Sequence, residues 1–71
     1  MREYINENTL IGEIVREYPQ AAEVLFAIGM HCLGCPSAQG ETLAQACAVH
    51  GVPADAVALS INRKIAESIE A

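Results

Sequence analysis

With 71 residues, 52% of them apolar and only 4% aromatic, the chain predicts one small domain (1–71) with a core of Ala, Val, Ile and Leu. At that size a core alone leaves about 3–5 kcal/mol of net stability. Four basic against nine acidic residues give a formal charge of −5. That lacks the Lys/Arg footprint phosphate backbones and anionic lipid attract, so neither nucleic acid nor a membrane is an expected partner.

No apolar run approaches the roughly 18 residues of a membrane span. Met1-Arg2-Glu3-Tyr4 leads into Asn and Glu instead of a signal-peptide core, so the expected location is cytoplasmic. Three cysteines in a reducing compartment argue against a permanent disulfide framework and for a reversible disulfide or a metal.

The polar cluster Asn6-Glu7-Asn8-Thr9 precedes the first helix, with Asn8 or Thr9 as the expected N-cap. Leu10, Ile11, Ile14, Val15 and Tyr18 then fall on one side at helical spacing, with Glu13, Arg16 and Glu17 opposite, which predicts an amphipathic helix over about 10–18. Pro19 cannot extend that helix but suits the first turn of another, and Gly29 stands where a left-handed cap would end it. The second helix, about 19–28, has Ala21, Leu25 and Ile28 on one face and little charge besides Glu23, so deep burial is expected. The two helices are expected to pair as a hairpin.

The next stretch, Met30-His31-Cys32-Leu33-Gly34-Cys35-Pro36-Ser37-Ala38-Gln39-Gly40, concentrates the reactive side chains. A third helix follows over about 41–50, between Gly40 and Gly51, with Leu43, Ala46, Cys47 and His50 on one face. After Val52-Pro53 a last helix, about 54–70, repeats Val57, Ile61, Ile65 and Ile69 every four residues. Leu59 and Ala66 point to its other side, so slight exposure or a weak dimer contact is expected there, and the chain reads as a monomer or weak homodimer. No segment alternates with period two. The predicted fold class is therefore all-α, a compact four-helix domain with a Cys-x-x-Cys loop between helices two and three.

Two thiols with two residues between them can close a small disulfide ring or occupy two sites on one metal, so Cys32 and Cys35 frame the chemistry. A thiol reacts as thiolate, which nearby cations and helix N-termini favour; His31 is adjacent to Cys32 as a possible modulator, and Ser37 could cap a turn whose amides face Cys35. Gly34 permits a tight turn and Pro36 stiffens its exit. Cys32, Cys35, Cys47 and His50 also form C-x2-C-x11-C-x2-H, an alternative Cys3His set for zinc, and three thiolates could hold part of an iron–sulfur cluster. Against that, Cys47 reads as a small buried apolar residue, and His50 as a residue favourable at a helix C-terminus. Haem attachment needs Cys-x-x-Cys-His, and here the His precedes the pair. Glu13, Glu17, Glu23 and Glu67 read as solvated face. There is no nucleophile–base–orienter set of the kind hydrolases need. At most the chain is an accessory thiol–disulfide oxidoreductase acting on a protein redox partner, with no cofactor in that reading.

The run from Gly29 to Leu43, together with Gly12-Glu13-Ile14, Tyr18 to Val24 upstream and His50-Gly51 downstream, resembles the hybrid-cluster-protein-associated redox disulfide domain family. That resemblance implies a small helical domain in which Cys32 and Cys35 are a redox-active pair, found in the company of iron–sulfur proteins that handle nitrogen oxides. The first two helices and the glycine–cysteine turn are similar, more distantly, to the N-terminal domain of iron–sulfur cluster repair di-iron proteins, where the cysteines are side by side. Two positions depart from the family: Leu10 stands where a Thr cap is usual, and Cys47 stands where Ala is common, so a Cys3His site is not a general family feature.

Overall fold

A computed structural model describes residues 3–29 and 39–70 of the chain. Among them are four α-helices and no strand: α1 (Ile11–Glu17), α2 (Ala22–Ala27), α3 (Leu43–His50) and α4 (Ala54–Glu70), with a 3-10 turn over Pro19–Ala21 leading into α2. The all-α, four-helix expectation is met.

The first helix does not start as expected. Its N-cap is Leu10, which offers no side-chain hydrogen bond. Asn6 and Thr9 instead close a turn on themselves: the Thr9 amide donates to the Asn6 carbonyl (3.1 Å), the Asn6 amide to Thr9 Oγ1 (3.0 Å) and the Asn8 amide to Asn6 Oδ1 (2.8 Å). The first turn of a helix leaves its amides without intrahelical partners. Here the chain itself supplies them. The Ile11 amide donates to the Glu41 carbonyl (2.8 Å), while in return the Leu43 amide donates to Thr9 O (2.9 Å) and the Ala44 amide to Glu7 O (2.8 Å). Leu10 and Thr42 form an isolated antiparallel bridge between the two helix starts. Each helix start is therefore capped by the backbone that precedes the other.

At α3 a capping box adds to this. The Gln45 amide donates to Thr42 Oγ1 (3.1 Å) and the Thr42 amide to Gln45 Oε1 (2.9 Å). Its far end closes on Gly51, left-handed at φ 69, with the Val52 amide reaching back to Cys47 O (3.0 Å). That six-to-one bond is the Schellman arrangement glycine permits without a Cβ penalty.

The second helix differs from expectation in two ways. Pro19 opens a 3-10 turn, so the α-helix proper begins only at Ala22. Its burial is one-sided: Ala21 and Leu25 are fully buried, but Phe26 is 49% exposed and Ala27 is exposed as well. The scarcity of charge there does not signal deep burial. Gly29, at φ 97, stops the helix as expected, with its amide on Phe26 O (3.0 Å).

The core gathers Ile5, Ile11, Ile14, Ala21, Leu25, Leu43, Ala46, Cys47, Val57, Ile61 and Ile65, with no aromatic side chain among its fully buried members. The long helix α4 packs against α3, α2 and the 3-10 turn, which is why Val57, Ile61 and Ile65 are buried. The fourth member of that stripe is corrected: Ile69 is 57% exposed, because the stripe outruns the elements that cover it. Leu59, on the other side, is partly exposed as expected. Glu23 is solvent-exposed and pairs with Lys64 across α2 and α4 (3.0 Å), an exposed ion pair worth at most about 1 kcal/mol.

One polar side chain enters this aliphatic interior. Asn62 is buried on α4, and its Oδ1 accepts from the Tyr4 amide (2.8 Å) and the Ile5 amide (3.0 Å) while its Nδ2 donates to Ile5 O (3.0 Å). The amide side chain thus takes the role of a neighbouring strand for residues 4 and 5, which carries Ile5 into the core. Tyr4 then meets Tyr18 edge to face, ring centroids 5.9 Å apart. Asn62→Ala strands two amides and a carbonyl at a largely buried position, where each unsatisfied group costs about 1–3 kcal/mol unless water reaches it. We expect a loss of about 2–4 kcal/mol in urea unfolding. A loss under about 1 kcal/mol would show that the N-terminal segment is not held by this contact.

Candidate functional site

The residues that carry the chemistry in sequence, His31, Cys32 and Cys35, lie outside the described residues, as do Gly34, Pro36 and Ser37. Gly29 and Gln39 are the described residues on either side of that stretch. Gly29 follows α2 with a positive φ of 97. A Cβ at Gly29 would fall 3.7 Å from His50 Nδ1, so the imidazole at the end of α3 lies close to Gly29. Gln39 lies against the first turn of α1. Gly12 is buried there, and a Cβ on it would fall 2.9 Å from Gln39 Cβ, 3.1 Å from Gln39 O and 3.3 Å from Gln39 Cγ. Two residues on, the Glu41 carbonyl accepts the Ile11 amide. Neither pairing, Gly29 with His50 or Gly12 with Gln39, follows from local sequence pattern; a glycine in an otherwise good helical stretch was the one available signal of close approach.

The third cysteine belongs to the core. Cys47 is fully buried on α3 among the aliphatic side chains, and burial pushes its thiol pKa up, because the charged form loses hydration without gaining a partner. At neutral pH it is a protonated, unreactive thiol. His50, in the final turn of α3, is solvent-exposed. Among the described residues no group of three or more Cys, His, Asp and Glu is arranged to hold a metal ion. No helix among them is long and apolar enough to cross a membrane.

Against known proteins, the family model described as "Domain of unknown function (DUF1858)" matches residues 5–57. The fold is similar to an NMR solution structure of a protein from Clostridium thermocellum, a structural-genomics target, at 36% identity and a TM-score of 0.76, with 90% of this chain and 91% of that chain covered. No curated protein matches.

Burial of Cys47 makes two measurable differences. In the native protein it resists iodoacetamide and reacts only when urea opens the fold. Its ionisation is easier in the unfolded chain, whose thiol pKa is about 8.5, so its contribution to stability is complete below that pH and is lost as pH rises. Compared with Cys47→Ala, the native chain keeps an advantage of about 1–2 kcal/mol at pH 7 that shrinks above about pH 8.5 in urea titrations. Rapid native alkylation of Cys47 would contradict both.

Proposed function

The chain belongs to the DUF1858 family of small domains of unknown function, and on that premise we propose that it is a thiol–disulfide redox module in which Cys32 and Cys35 cycle between dithiol and disulfide. The observation that carries this reading is the state of the remaining cysteine. With Cys47 buried and its thiol pKa raised, thiolate chemistry falls to the two cysteines at ring-closing spacing.

The reaction is an exchange. The Cys32 thiolate attacks one sulfur of a partner disulfide, and the partner's other sulfur leaves as thiolate and takes up a proton. The Cys35 thiolate then attacks the Cys32 sulfur of the mixed disulfide, releasing the second partner thiol. Two electrons and two protons pass from the pair to the partner, and a partner dithiol reverses the sequence. His31, next to Cys32 in sequence, would favour the thiolate when its imidazole is protonated. The domain serves as carrier or sensor for a larger protein redox partner in a reducing, cytoplasmic setting. An iron–sulfur protein that handles nitrogen oxides is the partner class that the sequence resemblance favours. The exposed Leu59 and Ile69 on α4 leave room for a weak homodimer contact.

Equilibration with glutathione across about −180 to −320 mV, followed by alkylation and mass mapping, tests the reading. We expect a reversible two-electron couple confined to Cys32 and Cys35, unchanged in Cys47→Ala. Absence of the couple, participation of Cys47, or stoichiometric zinc or iron in protein purified without chelator overturns it, the last favouring the set Cys32, Cys35, Cys47 and His50.

A further inference from the structure

The long helix α4 carries Asp55, Leu59 and Arg63 at four-residue spacing, and all three are solvent-exposed. Residues so spaced share one side of a helix, so an apolar side chain stands between an anion and a cation along one line. The N-terminal segment makes this face concave. Held beside α4 by Asn62, it brings Glu3 and Glu7 alongside, and with Asp55, Ala58 and Leu59 they line a groove of about 460 Å³. Every charged side chain lining the groove is acidic. Among the described residues neither these three carboxylates nor Arg63 has an ion-pair partner, since the one ion pair joins Lys64 to Glu23.

We infer that two copies of the chain pair through this face, α4 against α4 in antiparallel sense about a two-fold axis at Leu59, with Arg63 of each copy entering the acidic groove of the other. Such an axis sets position 55 of one copy opposite position 63 of the other, because both lie four residues from Leu59. The pairing of Asp55 with Arg63 is therefore made twice, and the two leucines meet between. Parallel pairing sets like charge on like charge, and a one-turn slip of the antiparallel register sets Leu59 against a charged side chain. The stem of Arg63 lies along the apolar floor of the groove while its head reaches the carboxylates, as long basic side chains do. Two copies at −5 each repel at long range, so association is weak and depends on these local pairs. The inference gives the homodimer contact noted above its surface and register, and it is independent of the thiol–disulfide reading.

The test is sedimentation equilibrium of the reduced full chain from about 10 μM to 1 mM, a range that covers weak association. Unaltered protein, Asp55→Lys, Arg63→Glu and an equimolar mixture of the two variants are compared. We expect a monomer–dimer equilibrium in the unaltered chain, and association about tenfold or more weaker in each variant alone, as two attractive pairs become repulsive. Asp55→Lys has this effect although it lowers the overall negative charge. The mixture recovers the dimer, because the introduced lysine faces the introduced glutamate while the native Asp55 and Arg63 still meet. Urea unfolding checks that each variant folds; if Asp55→Lys does not, Glu7→Lys places the same charge in the groove and takes its place in the mixture. Three results overturn the inference: variants that dimerise as well as the unaltered chain, a mixture no better than its components, or a chain that stays monomeric throughout, which leaves the groove to a basic segment of another protein. The redox reading fails on a separate measurement, the glutathione couple of Cys32 and Cys35.

Discussion

The structure depends on a trade of backbone hydrogen bonds between two helix starts. An isolated seven-residue helix such as α1 is far below the length at which helices hold themselves in water. Its opening amide and those of α3 are satisfied by carbonyls at Glu41, Thr9 and Glu7, and each donor and acceptor serves a segment thirty or more positions away. Once those bonds form, α1 and α3 cannot move independently. The chain that connects α2 to α3 must return to the first turn of α1, where Gln39 meets Gly12.

The interior shows how a domain this small reaches a definite structure with so few large side chains. Ile, Leu, Val, Ala and Cys fill it, and no single aromatic anchors it. Such cores pack densely but specify little by shape. The buried amide of Asn62 supplies direction that aliphatic contacts do not, since three hydrogen bonds to residues 4 and 5 are satisfied in only one register. Among the described residues no buried side-chain polar atom is left without a partner.

Much of this was legible in the amino-acid order. Gly29 and Gly51 mark helix ends, and both have positive φ. Pro19 marks a new start, and the Val57, Ile61, Ile65 spacing marks the face of α4 that is buried. Thr42 with Gln45 carries a readable capping box, though the polar run before Leu10 draws more notice and forms a turn instead of a cap. Ile69 obeys the same spacing as its neighbours, but periodicity states which face is apolar and not how far the covering elements extend. Asn62 and the paired helix starts have no local signature, because their partners are distant in the chain. The Cys-x-x-Cys motif is plain in sequence, whereas the closeness of Gly12 to Gln39 and of Gly29 to His50 is set by tertiary contact.

The clasp between Asn62 and residues 4 and 5 ties together segments 57 and 58 positions apart in the chain. On a ribosome, Ile5 cannot be seated until Asn62, 57 positions later, has emerged. Until then the surface that Ile5 covers stays open to other apolar segments. Truncation ahead of Asn62 therefore leaves residues 4 and 5 without their dock.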